Sequence, residues 1–326
     1  MRVLVTGGLG FIGRAVAVRL VQAGYDVSVL THRPAEAVRD APMGVTVLHA
    51  DLRDREWVMR VVGDVSFDAV CHLAGRSRTR ESFDDPLGYY ETNVTGMLSL
   101  LQALALAAER DGEPIRVVNA STVMVYSPSN GEPISEDMPP RPTSPYGSSK
   151  LTVEQLLGYQ AATSAIGAVS LRIFSAAGAA DGHGDSDLSR IIPKALAVAA
   201  GRAPHVEVNG DGSTVREFTH IADIAEAFLL ALDAVRVAEH QVFNVGTGVG
   251  ISVRDLLTTV EAVTGRPLTI MTRPPQNEPV ALIANAQRLR DQLQWRPTRS
   301  TIDRIITDAW QATTVTTPPM AQGYMA

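Results

Sequence analysis

The sequence predicts a doubly wound parallel α/β sheet that carries a smaller α/β domain. Three observations lead there. Strand-like apolar runs alternate with helix-period segments through the first half of the chain. A glycine-rich loop joins the first such run to the first helix. Past about residue 175 the alternation gives way to small, polar, glycine-rich sequence. The length of 326 residues suits one large α/β unit or two coupled domains rather than one small core.

The elements follow in order. RVLVT (2–6) is a short apolar run ending in glycines. FIGRAVAVRLVQAG (11–24) has apolar residues at helical spacing and stops at Gly24, a usual helix terminator. DVSVL (26–30) and VTVLHA (45–50) read as strands, and REWVMRVV (55–62) as a helix after the turn DLRD. DAVCHLAG (68–75) is continuously apolar, as a strand buried on both faces must be. A long helix is predicted over 91–110, a buried strand at IRVVNAS (115–121), a helix over 146–162 and a sixth strand at AVSLRIF (168–174). Six strands separated by helices give a Rossmann-like doubly wound sheet over residues 1–174. Residues 175–326 then form the smaller domain, interleaved with the first. Within it a helix is expected over 191–200, a short strand near Val206, an amphipathic helix at ADIAEAFLLALD and a strand at QVFNVG. Ser252 and Asp255 read as a capping box for the helix VRDLLTTVEAV. The proline-rich stretch 136–145 reads as an extended loop over a cleft.

Bulk chemistry narrows the function. Apolar residues make up 45% and charged residues 20%, with a net charge of −6, so no basic face serves nucleic acid. Arg76, Arg78 and Arg80 form the densest basic run, a solvated loop or a contact for one anionic ligand. One cysteine, Cys71, leaves no intrachain disulfide and sits in an apolar strand as a small buried hydrophobe. No apolar run is long enough to cross a bilayer, and the N-terminus has no signal-peptide core. A cytoplasmic protein without membrane or metal site is expected.

The loop VLVTGGLGFIG places Gly8, Gly10 and Gly13 in G-x-G-x-x-G, and Gly7, Gly10 and Gly13 in a looser G-x-x-G-x-x-G. Such glycines let the backbone approach a pyrophosphate, which then meets the unpaired N–H groups at the helix start. At the end of the second strand a dinucleotide site usually has an acid for the adenosine ribose. Here the place is Thr31, followed by His32 and Arg33. Loss of the acid removes the repulsion against a 2′-phosphate, and Arg33 offers it a bidentate partner, so NADP is favoured, with NAD the alternative. Asp51 and Leu52, after the third strand, are placed to meet the adenine ring or simply to form a turn.

Of 29 basic residues only Lys150 and Lys194 are lysine. Lys150 stands four residues after Tyr146 at a helix start, so the two share a face. A phenol is a poor acid–base group near neutral pH, and a nearby ammonium is expected to lower its pKa. The compact ammonium also suits the hydroxyls of a nicotinamide ribose. Ser121 and Thr122 end the fifth strand, at the rim where a doubly wound sheet binds ligands. A Thr122 hydroxyl there can donate to the substrate oxygen that Tyr146 protonates or deprotonates.

The glycine loop, STVMVY and PYGSSKLTVEQLL together resemble the extended short-chain dehydrogenase/reductase family, of the NAD-dependent epimerase/dehydratase type. The likeness is greatest to its nucleotide-sugar 4-epimerases and runs nearly end to end, including the 322–324 tail. It implies Tyr146 as general acid–base, Lys150 as its partner and ribose anchor, and Thr122 as the hydroxyl that orients substrate. It also implies cofactor contacts from Gly7, Gly10, Phe11, Ile12 and Gly13, from Leu73, Ala74 and Gly75 after the fourth strand, and from Asn93. Arg216 stands where the family holds a nucleotide-sugar diphosphate. Several substrate positions depart from the pattern: Ser175 and Arg190 replace asparagines, and Arg273 is displaced relative to Glu278. Arg190 and Arg273 are therefore candidates for a different anionic group. The resemblance further implies a homodimer through a four-helix contact of helices 91–110 and 146–162.

The expected activity is hydride transfer at a secondary alcohol carbon of a nucleotide sugar, as in an NDP-hexose 4-epimerase. An NADPH-dependent reductase of a 4-keto nucleotide sugar is the alternative, followed by a dehydrogenase of a smaller sugar or hydroxy acid. A 4,6-dehydratase would carry an Asp-Glu pair after the hydroxyl residue, where this chain has Val123 and Met124. A non-catalytic dinucleotide-binding regulator could dispense with the Tyr/Lys pair that is kept here.

Overall fold

The computed structural model describes residues 1–34, 38, 40–127, 131–163, 166–276 and 280–315. Glu278 and the 322–324 tail lie outside these residues. The chain opens with β1 (Arg2–Thr6), α1 (Phe11–Gln22), β2 (Asp26–Thr31), β3 (Val45–His49), α2 (Arg55–Gly63) and β4 (Ala69–His72). Two short helices follow, α3 (Glu81–Asp84) and α4 (Pro86–Tyr90), then a π-helical turn (Glu91–Thr95) and α5 (Gly96–Asp111). β5 (Ile115–Thr122) passes through a 3₁₀ turn (Val123–Val125) and the proline-rich loop into α6 (Pro145–Thr163) and β6 (Ile166–Ile173). Beyond it come β7 (Ser175–Ala177), two-residue strands β8 (Ala179–Ala180) and β9 (His183–Gly184), and α7 (Ile191–Ala199). β10 (Val206–Asn209), β11 (Val215–His220), α8 (Ile221–Ala234), β12 (His240–Val245) and β13 (Gly250–Ser252) lead to α9 (Val253–Thr264). The described chain closes with β14 (Ile270–Arg273), β15 (Ala281–Leu282), α10 (Gln287–Leu293) and α11 (Ile302–Val315). No described helix is long and apolar enough to cross a membrane.

Seven strands form one parallel sheet in the order β12-β6-β5-β4-β1-β2-β3. Six are the expected ones. The seventh, β12, is the QVFNVG segment, which the sequence reading assigns to the second domain. It pairs with β6 from His240↔Ala168 to Val245↔Ile173. The reason is the edge of β6: all eight of its residues are buried, and an uncovered backbone edge there would leave polar groups without partners. α8 brings the chain back along the sheet to supply that partner.

Side-chain alternation along the strands builds two cores. Val3 and Val5 face α1 and α8 through Val16, Leu20, Ile224 and Phe228. Leu4, on the opposite face, meets Val58, Leu100 and Leu104 from α2 and α5, and Val153 and Leu157 of α6 extend the same layer. Each fully buried Val, Leu or Phe contributes about 1.5–3 kcal/mol. The second lobe has its own core of Leu196, Val206, Leu256, Val260, Ile305 and Ile306. The expected cap of α9 is present, with the Asp255 amide donating to Ser252 Oγ at 3.0 Å. The helix expected over 91–110 is longer and interrupted: the wider turn at Glu91–Thr95 carries the buried Asn93. Such single π turns occur often at functional sites.

Strand order reverses beside β1, whose neighbours are β2 and β4, so a crevice opens at the carboxyl ends of these strands. The segment after α10 is pinned to α8 by one carboxylate. Asp223 accepts from the Thr298 amide (3.0 Å), the Arg299 amide (2.9 Å) and Ser300 Oγ (2.5 Å), and Trp295 Nε1 donates to its carbonyl (2.8 Å). Asp223→Ala removes the acceptor of the Thr298 and Arg299 amides and of Ser300 Oγ, while the Trp295 bond to the backbone carbonyl remains. The expected result is a loss of about 2–3 kcal/mol, read as a lower urea midpoint at unchanged slope.

Candidate active site

The crevice holds a cavity of about 540 Å³. Its floor comes from the glycine loop, its walls from the ends of β4 and β5 and the start of α6, and its roof from β7, β11 and α7. Among the sequence-predicted residues, Gly7, Gly10, Phe11, Ile12, Gly13, Leu73, Gly75, Thr122, Tyr146, Lys150, Ser175, Arg190 and Arg216 line it.

The glycines are there because no side chain fits. Gly7 has φ +70°, and a Cβ on it would sit 2.7 Å from the Ala74 amide nitrogen. A Cβ on Gly13 would lie 2.2 Å from the Gly7 carbonyl oxygen, so α1 can approach β1 this closely only with glycine. Gly10 caps α1 without a side-chain bond, which leaves bare backbone and the helix N-terminus facing the cavity. That cradle fits a dinucleotide pyrophosphate. Thr6, at the end of β1, accepts the Ala74 amide (3.2 Å) and shares a hydrogen bond with His72 Nδ1 (2.9 Å). Burial, and then the Lys150 charge, push His72 down to about 3, so the ring is neutral.

α6 presents Tyr146 and Lys150 on one face towards the end of β5. Both are buried, at 8% and 5% exposure. Lys150 Nζ donates to the Ala120 carbonyl at 2.9 Å. Burial pushes its ammonium down to about 8, while Glu154 on the next turn pulls the other way. Tyr146 does not behave as expected. Burial raises its phenol above the ordinary range; a hydrogen bond with Thr122 and the charge of Arg190 pull it down, and Lys150 is not among the causes. The desolvation of a fully enclosed phenol outweighs a cation whose donors are turned to a carbonyl. Tyr89 meets Tyr146 edge to face, with ring centres 6.3 Å apart. Asn93 locks this corner: its amide accepts from the Arg76 amide (2.8 Å) and donates to the Arg76 carbonyl (3.1 Å) and to Ser149 Oγ (2.9 Å).

Other predicted residues stand apart from the cavity lining. Thr31 ends β2 with its hydroxyl accepting the Arg33 amide at 3.1 Å, and His32 and Arg33 are exposed. Asp51 is clamped by Arg53, whose Nη2 lies at 2.7 Å and whose hydrogen bonds hold the carboxyl below its usual range. Leu52 packs under Gly96, and Ala74 contributes its amide to Thr6. Arg273 is not brought to the site: it lies exposed on β14, paired with Glu207 at 2.6 Å. Arg190 reaches the cavity from the N-terminus of α7 with its guanidinium on Asp185 at 2.9 Å. Arg76 is held by Glu81 (2.6 Å) and Asp85, and Arg78 by Asp187 (3.0 Å).

Two groups escaped the sequence reading. Glu217, between the cavity residues Arg216 and Phe218, accepts the amides of Thr247 (2.6 Å), Ala284 (2.7 Å) and Gly248 (3.3 Å). Burial pushes its carboxyl up to about 7 against those donors. Glu154 bonds Ser121 and forms a buried ion pair with Arg172, Nη2 to Oε2 at 2.6 Å. The four-residue spacing from Lys150 to Glu154 was visible in the sequence, but nothing there marked the acid as buried.

The chain is similar over nearly its whole length to known proteins. A UDP-glucose 4-epimerase of Streptomyces lividans is 39% identical over 319 residues, covering 94% of each chain. The solved UDP-glucose 4-epimerase of Stenotrophomonas maltophila, with bound NAD and formylated UDP-arabinopyranose, superposes with TM-score 0.86 at 30% identity over 97% of this chain and 98% of that one. That of Brucella ovis, in complex with NAD, gives TM-score 0.85 at 32% identity over 95% and 97%. The model of the NAD dependent epimerase/dehydratase family matches residues 3–246, from the first strand of the sheet to its last, and the chain belongs to that family.

Proposed function

We propose that the protein is a nucleotide-sugar 4-epimerase that interconverts UDP-glucose and UDP-galactose with NAD held in the crevice. The observation that carries this reading is the meeting of Tyr146, Thr122 and Lys150 in one cavity between the glycine loop and Arg216. NAD would be held by the backbone of Gly7, Gly10 and Gly13 at its pyrophosphate and by Lys150 at its nicotinamide ribose. When bound, the nicotinamide accepts and returns a hydride. The protein's own part is the proton. Tyr146 takes it from the sugar O4 and returns it, Thr122 donates a hydrogen bond that aims the same oxygen, and the buried walls keep water away.

Two points favour NAD over the NADP suggested by Thr31, His32 and Arg33. The Stenotrophomonas and Brucella relatives hold NAD. Epimerisation also involves no net redox change and needs no exchangeable NADPH. The bound UDP-sugar of the Stenotrophomonas enzyme supports a UDP-sugar substrate here, and the UDP-glucose 4-epimerase activity in the relatives' names supports a hexose, with Arg216 on the diphosphate. A homodimer through α5 and α6 is part of the reading, because Leu98, Leu106 and Tyr159 leave apolar surface exposed on those helices.

Three outcomes test this. The purified protein should release NAD on acid denaturation and convert UDP-glucose to UDP-galactose with no added cofactor; a strict need for NADPH overturns the reading. Tyr146→Phe should lower kcat by about 10²–10⁴-fold with little change in KM, the range for loss of a general acid–base group. Lys150→Met should abolish turnover yet stabilise the fold at pH 7. Its ammonium is depressed from 10.5 to about 8, so the folded state carries an unfavourable charge below pH 8. The slope of 1.36 kcal/mol per unit puts that cost at about 3 kcal/mol, less the lost bond to Ala120. The gain should shrink as pH rises from 8 towards 10.5, where the unfolded chain also loses the proton.

A further inference from the structure

Three successive residues of β5 are tied to three successive turns of α6. Thr122 hydrogen-bonds Tyr146, the Ala120 carbonyl receives Lys150, and Ser121 Oγ donates to Glu154 Oε1. Tyr146, Lys150 and Glu154 are spaced four apart, so they form one column on the helix. The lowest rung is anchored from behind. Arg172 on β6, directly across from Ser121 in the sheet, reaches Glu154 with Nε (3.0 Å) and Nη2 (2.6 Å). Its Nη1 donates to the Tyr126 hydroxyl at 2.7 Å, and Tyr126 closes the 3₁₀ turn that Thr122 caps. Tyr126 in turn donates to Asn244 Oδ1 at 2.9 Å, on β12. Glu154 and Arg172 therefore grip both the helix that bears Tyr146 and Lys150 and the turn that bears Thr122. Both side chains are almost fully enclosed, at 4% and 6% exposure.

We propose that Glu154 and Arg172 are positioning residues of the proton-transfer site: their ion pair fixes α6 against β5, and Glu154 supplies the negative charge that balances the enclosed Lys150. This rests on the proposed epimerase reading for its kinetic part only. A buried pair is a poor source of net stability, since desolvation of both ions offsets their attraction. An apolar pair could match its stability, so charge at this place points to the neighbouring ammonium. The other groups around the pair are His240, whose imidazole is pushed down by burial, Tyr126 and, beyond Asn244, Glu136. Glu154 is the one that opposes burial at Lys150.

The chain's two lysines make the test direct. Protein labelled with ¹³Cε-lysine gives two signals, and Lys194 serves as the reference. In the wild-type holoenzyme the Lys150 signal should titrate below the ordinary ammonium range, the direction its burial imposes. In Glu154→Gln it should titrate about one unit or more lower, the shift expected on losing a close opposite charge. In the same variant kcat should fall about 10- to 100-fold, while KM for UDP-glucose stays within about threefold, as expected for misaligned reacting groups. Because Glu154→Gln leaves Arg172 unpaired and loses stability, Glu154→Gln with Arg172→Met is the second variant. It should recover the thermal midpoint without recovering kcat or the Lys150 titration. An unmoved Lys150 signal in Glu154→Gln, or wild-type kcat in the double variant, overturns the proposal. If the wild type epimerises no nucleotide sugar, the epimerase reading fails, and the lysine titration still decides the role of Glu154.

Discussion

An ammonium withdrawn from water organises this molecule. Lys150 sits at the rim where β4, β5 and α6 converge, and enclosing such an ion costs several kcal/mol unless its surroundings answer it. A carbonyl at the end of β5 takes one of its protons. His72, whose imidazole feels the Lys150 charge, is kept neutral by the same enclosure and held by Thr6. A carboxylate stands one helical turn away. The arrangement also explains the choice of residue in a chain that otherwise prefers arginine. A compact charge can be satisfied by one carbonyl, whereas a planar fork of five donors would need a wider pocket and more acceptors.

The second lobe acts on this rim through strand alternation. On β11, Arg216 and Phe218 face the cavity while Glu217 points away and gathers the amides of Thr247, Gly248 and Ala284. One short strand thus lines the cavity and fastens the loop after β12. Gly246 belongs to the same contact: a Cβ there would fall 2.0 Å from Glu217 Oε1. The Arg78–Asp187 pair ties the segment after β4 to the segment before α7.

Much of this was legible in the residues, and the gaps have physical causes. The glycine loop and the Tyr146–Lys150 spacing are local patterns, and local patterns survive in sequence. Thr122 was legible because a strand end in a parallel sheet is a known place for ligands. The Glu154–Arg172–Tyr126–Asn244 chain was not, because its members lie 18 to 118 residues apart and meet only after β5, β6 and β12 are aligned. β12 itself was recognised as a strand, within a second stretch expected to interleave with the first, but its place beside β6 was not, since an apolar strand carries no mark of the sheet it will join. Arg273 was attractive as a cation near the expected place, yet pairing of β10 with β14 turns it to Glu207. The sign of the Tyr146 shift was missed for a related reason: a four-residue spacing reports proximity and says nothing about how deeply a phenol is enclosed.

The path of the chain through the sheet bears on how the protein is made. β6 is complete by Ile173, but the strand that covers its outer edge ends only at Val245. During synthesis the ribosome must therefore add some seventy residues while an apolar strand with an open backbone edge waits for its neighbour. At about 5–20 residues per second that interval lasts several seconds, long enough for hairpin or helix formation to run many times over. A growing chain of this kind is exposed to edge-on association with other chains until β12 arrives, and its need for a chaperone should be concentrated in that window.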